Sequence, residues 1–214
     1  MDTNTPETYN KHFLTEPSRW AGDPDKVDVA FIGLLKELGM NDGSKIIDMG
    51  CGQGRTMVAL RKHHKGIIYG VDWSIEGLNI AKRSADKHMV FIVGDISKLN
   101  GVDVPDKQMD YAISVGTHEH LEKPDFKECF RVLKDTGIFI ACIPCSDKGG
   151  WVKYGPQWGW RKSIEYWKSI IERDGFSCEY RNIPIRFSDF FICRKLEVNM
   201  NMRPGIPCSG TSGH

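Results

Sequence analysis

Short apolar runs alternate with amphipathic stretches along most of this chain. Residues 45–49 (KIIDM), 66–71 (GIIYGV), 89–93 (MVFIV), 109–115 (MDYAISV) and 137–143 (GIFIACI) are rich in β-branched and aromatic side chains and end in polar or glycine-bearing turns. Such runs predict strands. Between them lie helical patterns over 56–64, 74–86, 123–134 and 162–173. A further helix is expected over 23–38, where Asp23-Pro24 supplies a cap and a first-turn proline. Its apolar residues Val27, Ala30, Phe31, Leu34, Leu35 and Leu38 recur at helical spacing, and Gly39 follows as a terminating residue. Two last runs, 176–183 and 187–196, read as a terminal hairpin. Strands alternating with helices predict an α/β fold, a parallel sheet with helices on both faces.

With 214 residues, one well-cored domain is expected over 1–198. Residues 1–22 read as an irregular arm carrying Tyr9, Phe13 and Trp20, either satellite core or, together with the helix to residue 40, a cover for a site. The connection 144–161 holds Trp151, Tyr154, Trp158 and Trp160 among Lys148, Lys153 and Arg161. It is long for a plain connection and too aromatic for a disordered one, so it is expected to be a substrate lid, with a small satellite core as the alternative. The Gly-, Ser- and Pro-rich stretch 199–214 reads as a flexible tail.

A formal net charge of +1 gives no global reason to expect a nucleic-acid or membrane-surface partner. No apolar run approaches the roughly 20 residues of a membrane helix, and the polar start has no signal-peptide core, so a cytoplasmic protein is expected. Seven cysteines, an odd number spread over core-like segments, read as free thiols and not as a disulfide framework.

The candidate chemistry begins where the first strand ends. Asp48-Met49-Gly50-Cys51-Gly52-Gln53-Gly54 is a strand-to-helix turn with three glycines at alternate positions and a carboxylate before them. A dinucleotide loop receives a pyrophosphate at such a place. Asp48 would repel that group and favour a cationic ligand. Cys51 reads as a small buried residue. Asp72 ends the second strand, where one carboxylate can accept from both hydroxyls of a ribose. Trp73 beside it can lie against an adenine ring or pack into the core. Asp95 follows the third strand, and taken alone it reads as a turn or cap residue. Thr117-His118-Glu119-His120 leaves the C-terminal end of the fourth strand, the crevice side of an open parallel sheet. Histidine titrates near neutral pH, which suits a general base. His118, nearer the strand end, is expected to be that base, with His120 orienting the loop. Glu119 either caps the next helix or holds a substrate amine. Both histidines could instead only hold the loop's shape. No third ligand accompanies them, and no metal is expected.

The motif Asp48-x-Gly50-x-Gly52-x-Gly54, with Asp72 and Asp95 following in register, resembles the class I S-adenosylmethionine-dependent methyltransferases, in the small-molecule, methyltransferase-domain-11-like branch. The resemblance runs from residue 23 to about residue 196. It implies a Rossmann-like, doubly wound sheet of seven strands in the order 3-2-1-4-5-7-6, the last antiparallel. It also implies S-adenosyl-L-methionine as cofactor and S-adenosyl-L-homocysteine as product. The backbone from Gly50 through Cys51 and Gly52 to Gly54, with Asp48, would face the methionine part. Asp72 would hold the ribose, Asp95 with Ile96 the adenine, and Ser114 would sit below the sulfonium. Tyr9, Trp20, Trp151, Tyr154, Trp158 and Trp160 are the residues expected around the acceptor, a small molecule methylated on oxygen or nitrogen. The Asp/Asn-Pro-Pro-aromatic motif of the adenine-N6 enzymes is replaced by Ser114-Val115-Gly116-Thr117, and Pro144-Cys145 follows the fifth strand where the cytosine-C5 enzymes have it after the fourth. A nucleic-acid substrate is therefore not favoured. An RNA or protein methyltransferase, or a non-catalytic cofactor-binding partner subunit, remains the alternative.

Overall fold

The computed structural model describes residues 5–15, 24–99, 104–146, 150–154, 157–183 and 189–196. In chain order the elements are α1 (Pro6–Thr15), α2 (Pro24–Glu37), β1 (Ile46–Met49), α3 (Arg55–Arg61), β2 (Ile68–Asp72), α4 (Ile75–Lys82), β3 (Met89–Val93) and β4 (Met109–Val115). A single 3₁₀ turn (His118–His120) follows, then α5 (Lys127–Val132), β5 (Leu133–Cys142), β6 (Gly150–Tyr154), β7 (Gln157–Arg161), α6 (Ile164–Arg173), β8 (Phe176–Asn182) and β9 (Asp189–Lys195).

Seven strands form one sheet in the order β3-β2-β1-β4-β5-β9-β8, and β6 pairs with β7 in a separate hairpin. β1 to β5 pair in parallel, while β9 is antiparallel to both β5 and β8. Counting sheet strands alone, this is the expected order 3-2-1-4-5-7-6 with the last strand reversed. The period of two along the strands sorts the core into two layers. On β5, Ile138, Ile140 and Cys142 face the layer of Phe31, Leu35, Met57, Leu60 and Leu78. Phe139, Ala141 and Ile143 face the layer of Phe126, Val132, Trp167 and Ile171. Phe139 and Trp167 have no exposed surface, and truncating either to alanine would cost about 3–5 kcal/mol. The Ser163 side chain that caps α6 contributes about 1 kcal/mol, so the layers, more than the caps, hold the frame.

Several boundaries differ from those expected. The first 22 residues are not wholly irregular, since 6–15 form α1. The helix expected over 123–134 starts only at Lys127, beyond Pro124, and its N-terminal end is held by Asp174, whose carboxylate accepts from the Phe126 N–H at 2.8 Å. Leu133 and the polar residues 134–136 belong to β5, because Met109 pairs with Leu133 before the register shifts ahead of Tyr111 and Ile138. Most of the expected lid is the hairpin β6–β7, in which Trp151 opposes Trp160 and Lys153 opposes Trp158. Trp20 and the stretch 199–214 lie outside the described residues, as do the side chains of Trp151, Tyr154, Trp158 and Trp160.

Candidate active site

At the C-terminal end of β1 the chain turns through Gly50, Gly52 and Gly54, all three with positive φ. At Gly50 (φ 83°) a side chain is excluded twice over, by the left-handed backbone and because a Cβ would run into the side chain of Thr117. The Thr117 hydroxyl donates to the Gly50 carbonyl at 3.3 Å, which fixes the glycine turn against the exit of β4. The other side of the turn is fastened to the end of β2. Gly50 and Cys51 donate their N–H groups to the Val71 carbonyl, and Gly52 donates to Asp72 Oδ2 at 2.8 Å. Asp72 Oδ1 accepts from the Ser74 N–H, also at 2.8 Å. Each Asp72 oxygen therefore keeps acceptor capacity after one backbone bond. Burial pushes the Asp72 carboxyl up, against the pull of those two N–H groups. Asp48, 2% exposed, lies at the end of β1. Two buried carboxylates beside a turn with three glycines fit S-adenosylmethionine, as negative charge for its sulfonium and acceptors for its ribose hydroxyls.

Helix α1 covers this end of the sheet. Its Phe13 ring lies where Cβ atoms on Gly52 and Gly77 would reach, at 3.2 and 2.9 Å. Asn10 Oδ1 accepts from the Ser74 hydroxyl at 2.8 Å and from the Glu76 N–H at 3.2 Å, while Ser74 itself caps α4 by accepting from Gly77. Tyr9 packs on Trp73 with centroids 5.5 Å apart and edge-on to His120 at 6.5 Å. Burial, then the nearby Glu119 and Asp72 carboxylates, push the Tyr9 phenol up. Tyr9 thus stands between Trp73, at the end of β2, and the 3₁₀ turn. Asn10 was not anticipated, since nothing in the local sequence distinguishes it from a solvated helix residue.

The 3₁₀ turn separates the two histidines. His118 points into the α5–α6 layer, fully buried, stacked on Phe126 at 4.5 Å, with Nδ1 2.7 Å from the Ser114 hydroxyl. Burial pushes its imidazole down to about 3. The expectation that His118 is the base is corrected by this placement, because a neutral ring in an apolar layer neither meets an acceptor nor takes its proton near neutral pH. Ser114 is likewise fully buried, with its hydroxyl engaged by His118. His120, 7% exposed, turns the other way, toward Tyr9 and Glu119, whose Oε1 lies 4.0 Å from His120 Nε2. Asp95 is exposed and its Oδ1 accepts from the Ser97 N–H at 2.8 Å, the turn role read from sequence alone, with Ile96 buried beside it. Cys51 is buried and its thiol is pushed up, first by burial and then by Asp48 and Asp72. Among the described residues no group of three or more His, Cys, Asp or Glu is arranged to hold a metal. Among them, too, no helix is long and apolar enough to cross a membrane.

The buried His118 has a consequence for stability. An unfolded histidine titrates near about 6.5, so below that pH the unfolded chain takes up a proton that the folded chain refuses. The stability tied to His118 is complete above about 6.5 and is lost as the pH falls toward the folded value of about 3. Thermal midpoints should drop between pH 7 and pH 5, and drop less in His118→Asn, whose amide can keep a hydrogen bond with Ser114. Equal drops in both proteins would remove His118 from the account.

Comparison with known proteins bears on the same region. A family described as "Methyltransferase domain" matches residues 46–137, from β1 into the start of β5. Sterol 24-C-methyltransferase erg6 of Aspergillus fumigatus is 32% identical over 113 residues, 50% of this chain and 29% of that protein. Demethylmenaquinone methyltransferase of Staphylococcus saprophyticus is 34% identical over 122 residues, 53% of this chain and 49% of that protein. The chain thus spans half or less of the length of these curated relatives. Among solved structures, the Burkholderia thailandensis 1,6-didemethyltoxoflavin-N1-methyltransferase, with bound 1,6-didemethyltoxoflavin and S-adenosylhomocysteine, superposes with a TM-score of 0.66 at 17% identity, over 89% of this chain and 86% of that one. At that identity the likeness concerns the fold.

Proposed function

We propose that this chain, which belongs to the class I S-adenosylmethionine-dependent methyltransferases, moves a methyl group to an oxygen or nitrogen atom of a small-molecule acceptor. The observation that carries the reading is the cradle at the ends of β1 and β2: a turn of three left-handed glycines fastened to Asp72, beside buried Asp48. When bound, S-adenosylmethionine supplies an electrophilic methyl group and leaves as S-adenosylhomocysteine. Asp48 and the backbone from Gly50 to Gly54 hold the methionine part, Asp72 the ribose hydroxyls, Trp73 the adenine face, and Asp95 with Ile96 the adenine edge. His120 takes the proton that an O–H or N–H acceptor gives up, and α1 with the β6–β7 hairpin excludes water from the crevice. Holding the acceptor in line supplies much of the rate.

Calorimetry with S-adenosylhomocysteine tests the cofactor half of this reading. Mass spectrometry of a metabolite pool incubated with the protein and isotopically labelled S-adenosylmethionine tests the acceptor half. Failure to bind the product sinks the first, and a label carried on carbon or on macromolecules alone sinks the second. The sterol 24-C-methyltransferase relative makes carbon the outcome to watch. The hairpin is assigned to the acceptor. Replacing Trp158 or Trp160 by alanine should raise the acceptor KM and leave product affinity nearly intact, whereas unfolded variants would return these residues to a core role.

A further inference from the structure

Glu119 is 2% exposed and its Oε2 is buried without a hydrogen-bond partner among the described residues. Its other oxygen lies 4.0 Å from His120 Nε2, beyond hydrogen-bond reach. A carboxylate out of water with an unmet oxygen is costly, because the lost hydration is not replaced. The surroundings lie where a ligand would be met. A Cβ built on Gly116, the residue leaving β4, would find only Glu119 Oε1 within 4 Å among the described residues, at 3.6 Å. No other atom of the described residues fills the space beside Gly116 and this carboxyl group, at the crevice end of the parallel strands. The field of Glu119 also reaches Tyr9 on α1 and Cys142 at the end of β5, and Arg161 at the end of β7 acts on Glu119 in turn. Four elements thus converge on one acidic group.

We infer that Glu119 holds the methyl acceptor and selects one that carries an ammonium group. This rests on the methyltransferase reading of the same crevice. An anionic acceptor would be repelled by the carboxylate. A hydroxyl brings a single donor and no charge. An ammonium brings three donors and the opposite charge, and meets the bare oxygen with a charge-assisted bond.

The test uses the full chain saturated with S-adenosylhomocysteine and a series of primary amines from methylamine to phenethylamine, each beside its matched alcohol. Amines should bind and raise the thermal midpoint while the alcohols do not. Glu119→Gln, nearly isosteric and uncharged, should weaken amine binding about tenfold or more and leave product affinity within about twofold, since Glu119 lies on the acceptor side. A purely structural Glu119 would not separate amines from alcohols. The inference is overturned if the two series behave alike, if neither binds, or if Glu119→Gln keeps the preference. Should that variant fail to fold, Glu119→Asp, which keeps the charge but withdraws it by one methylene, must keep a weakened preference; an unchanged one overturns the assignment. Wild-type protein that takes up no S-adenosylhomocysteine sinks the methyltransferase reading instead, and the same series on unloaded protein then decides on Glu119.

Discussion

Replacing His120 by alanine is expected to lower kcat by about 10²–10⁴-fold, the usual worth of a positioned general base, with affinity for S-adenosylhomocysteine unchanged. His120 lies on the crevice side of the 3₁₀ turn, edge-on to Tyr9, with Glu119 Oε1 4.0 Å from its Nε2. His118, two residues earlier, makes a control within the same turn. In His118→Asn a hydrogen bond with Ser114 can be kept, the crevice is untouched, and kcat should stay close to that of the wild-type enzyme. A loss in His118→Asn with none in His120→Ala would reverse the roles. Full rate in both would mean that the acceptor arrives already deprotonated and needs no base.

The separation of these histidines marks where the sequence stopped being informative. An extended segment would have put residues 118 and 120 on one side, and a helix would have spread them. The 3₁₀ turn rotates the chain by about 120° per residue, so two positions apart the rings diverge, one into the Phe126–Phe139 layer and one toward α1. What selects the turn is three-dimensional packing: the stack on Phe126, the hydrogen bond between Ser114 and His118, and the packing of β7 against the turn. No local pattern reports those contacts. β4, by contrast, was legible to the residue, because a strand inside a covered parallel sheet is apolar at most positions and polar loops bound it sharply. β3, although it is the edge strand with Val90 and Val93 exposed, was legible as a β-branched and aromatic run between polar turns. The glycine turn was legible for a related reason, since a left-handed backbone under Thr117 leaves little choice of residue.

Helix α1 was hidden because only His12 and Phe13 on it are buried, too few to set up a period. Phe13 is apolar for the sake of Gly52 and Gly77, and Asn10 is polar for the sake of Ser74 and Glu76, partners some 40 to 65 residues away. The β6–β7 hairpin was hidden by its composition. Alternate aromatic and polar residues at period two are a strand signal, but dense tryptophans and lysines after the fifth strand also suit a binding loop. The start of β5 was hidden by Lys134, Asp135 and Thr136, which read as a helix end until the pairing of Leu133 with Met109 draws them into the sheet.

Asp72→Ala should lose about 1.5–3 kcal/mol of affinity for S-adenosylhomocysteine, the worth of hydrogen bonds to a charged group, and so more than tenfold. The carboxylate acts in two ways that separate variants can distinguish. It offers its remaining acceptor sites to a diol, and it ties the Gly52 N–H to the Ser74 N–H through one side chain, at 2.8 Å on each side. Alanine removes both actions. Asparagine keeps one acceptor oxygen and can preserve one of the two backbone bonds, so Asp72→Asn should fall between wild type and alanine if the ribose contact dominates. If the tether dominates, both variants should loosen the turn, and faster amide hydrogen exchange at Gly52 and Ser74 would reveal it. The folded protein should survive either change, because burial already pushes the Asp72 carboxyl up and its removal relieves that desolvation. Calorimetry that finds Asp72→Ala binding as tightly as wild type would dismiss the ribose assignment, and with it the reading of β2 as the strand that selects the nucleoside.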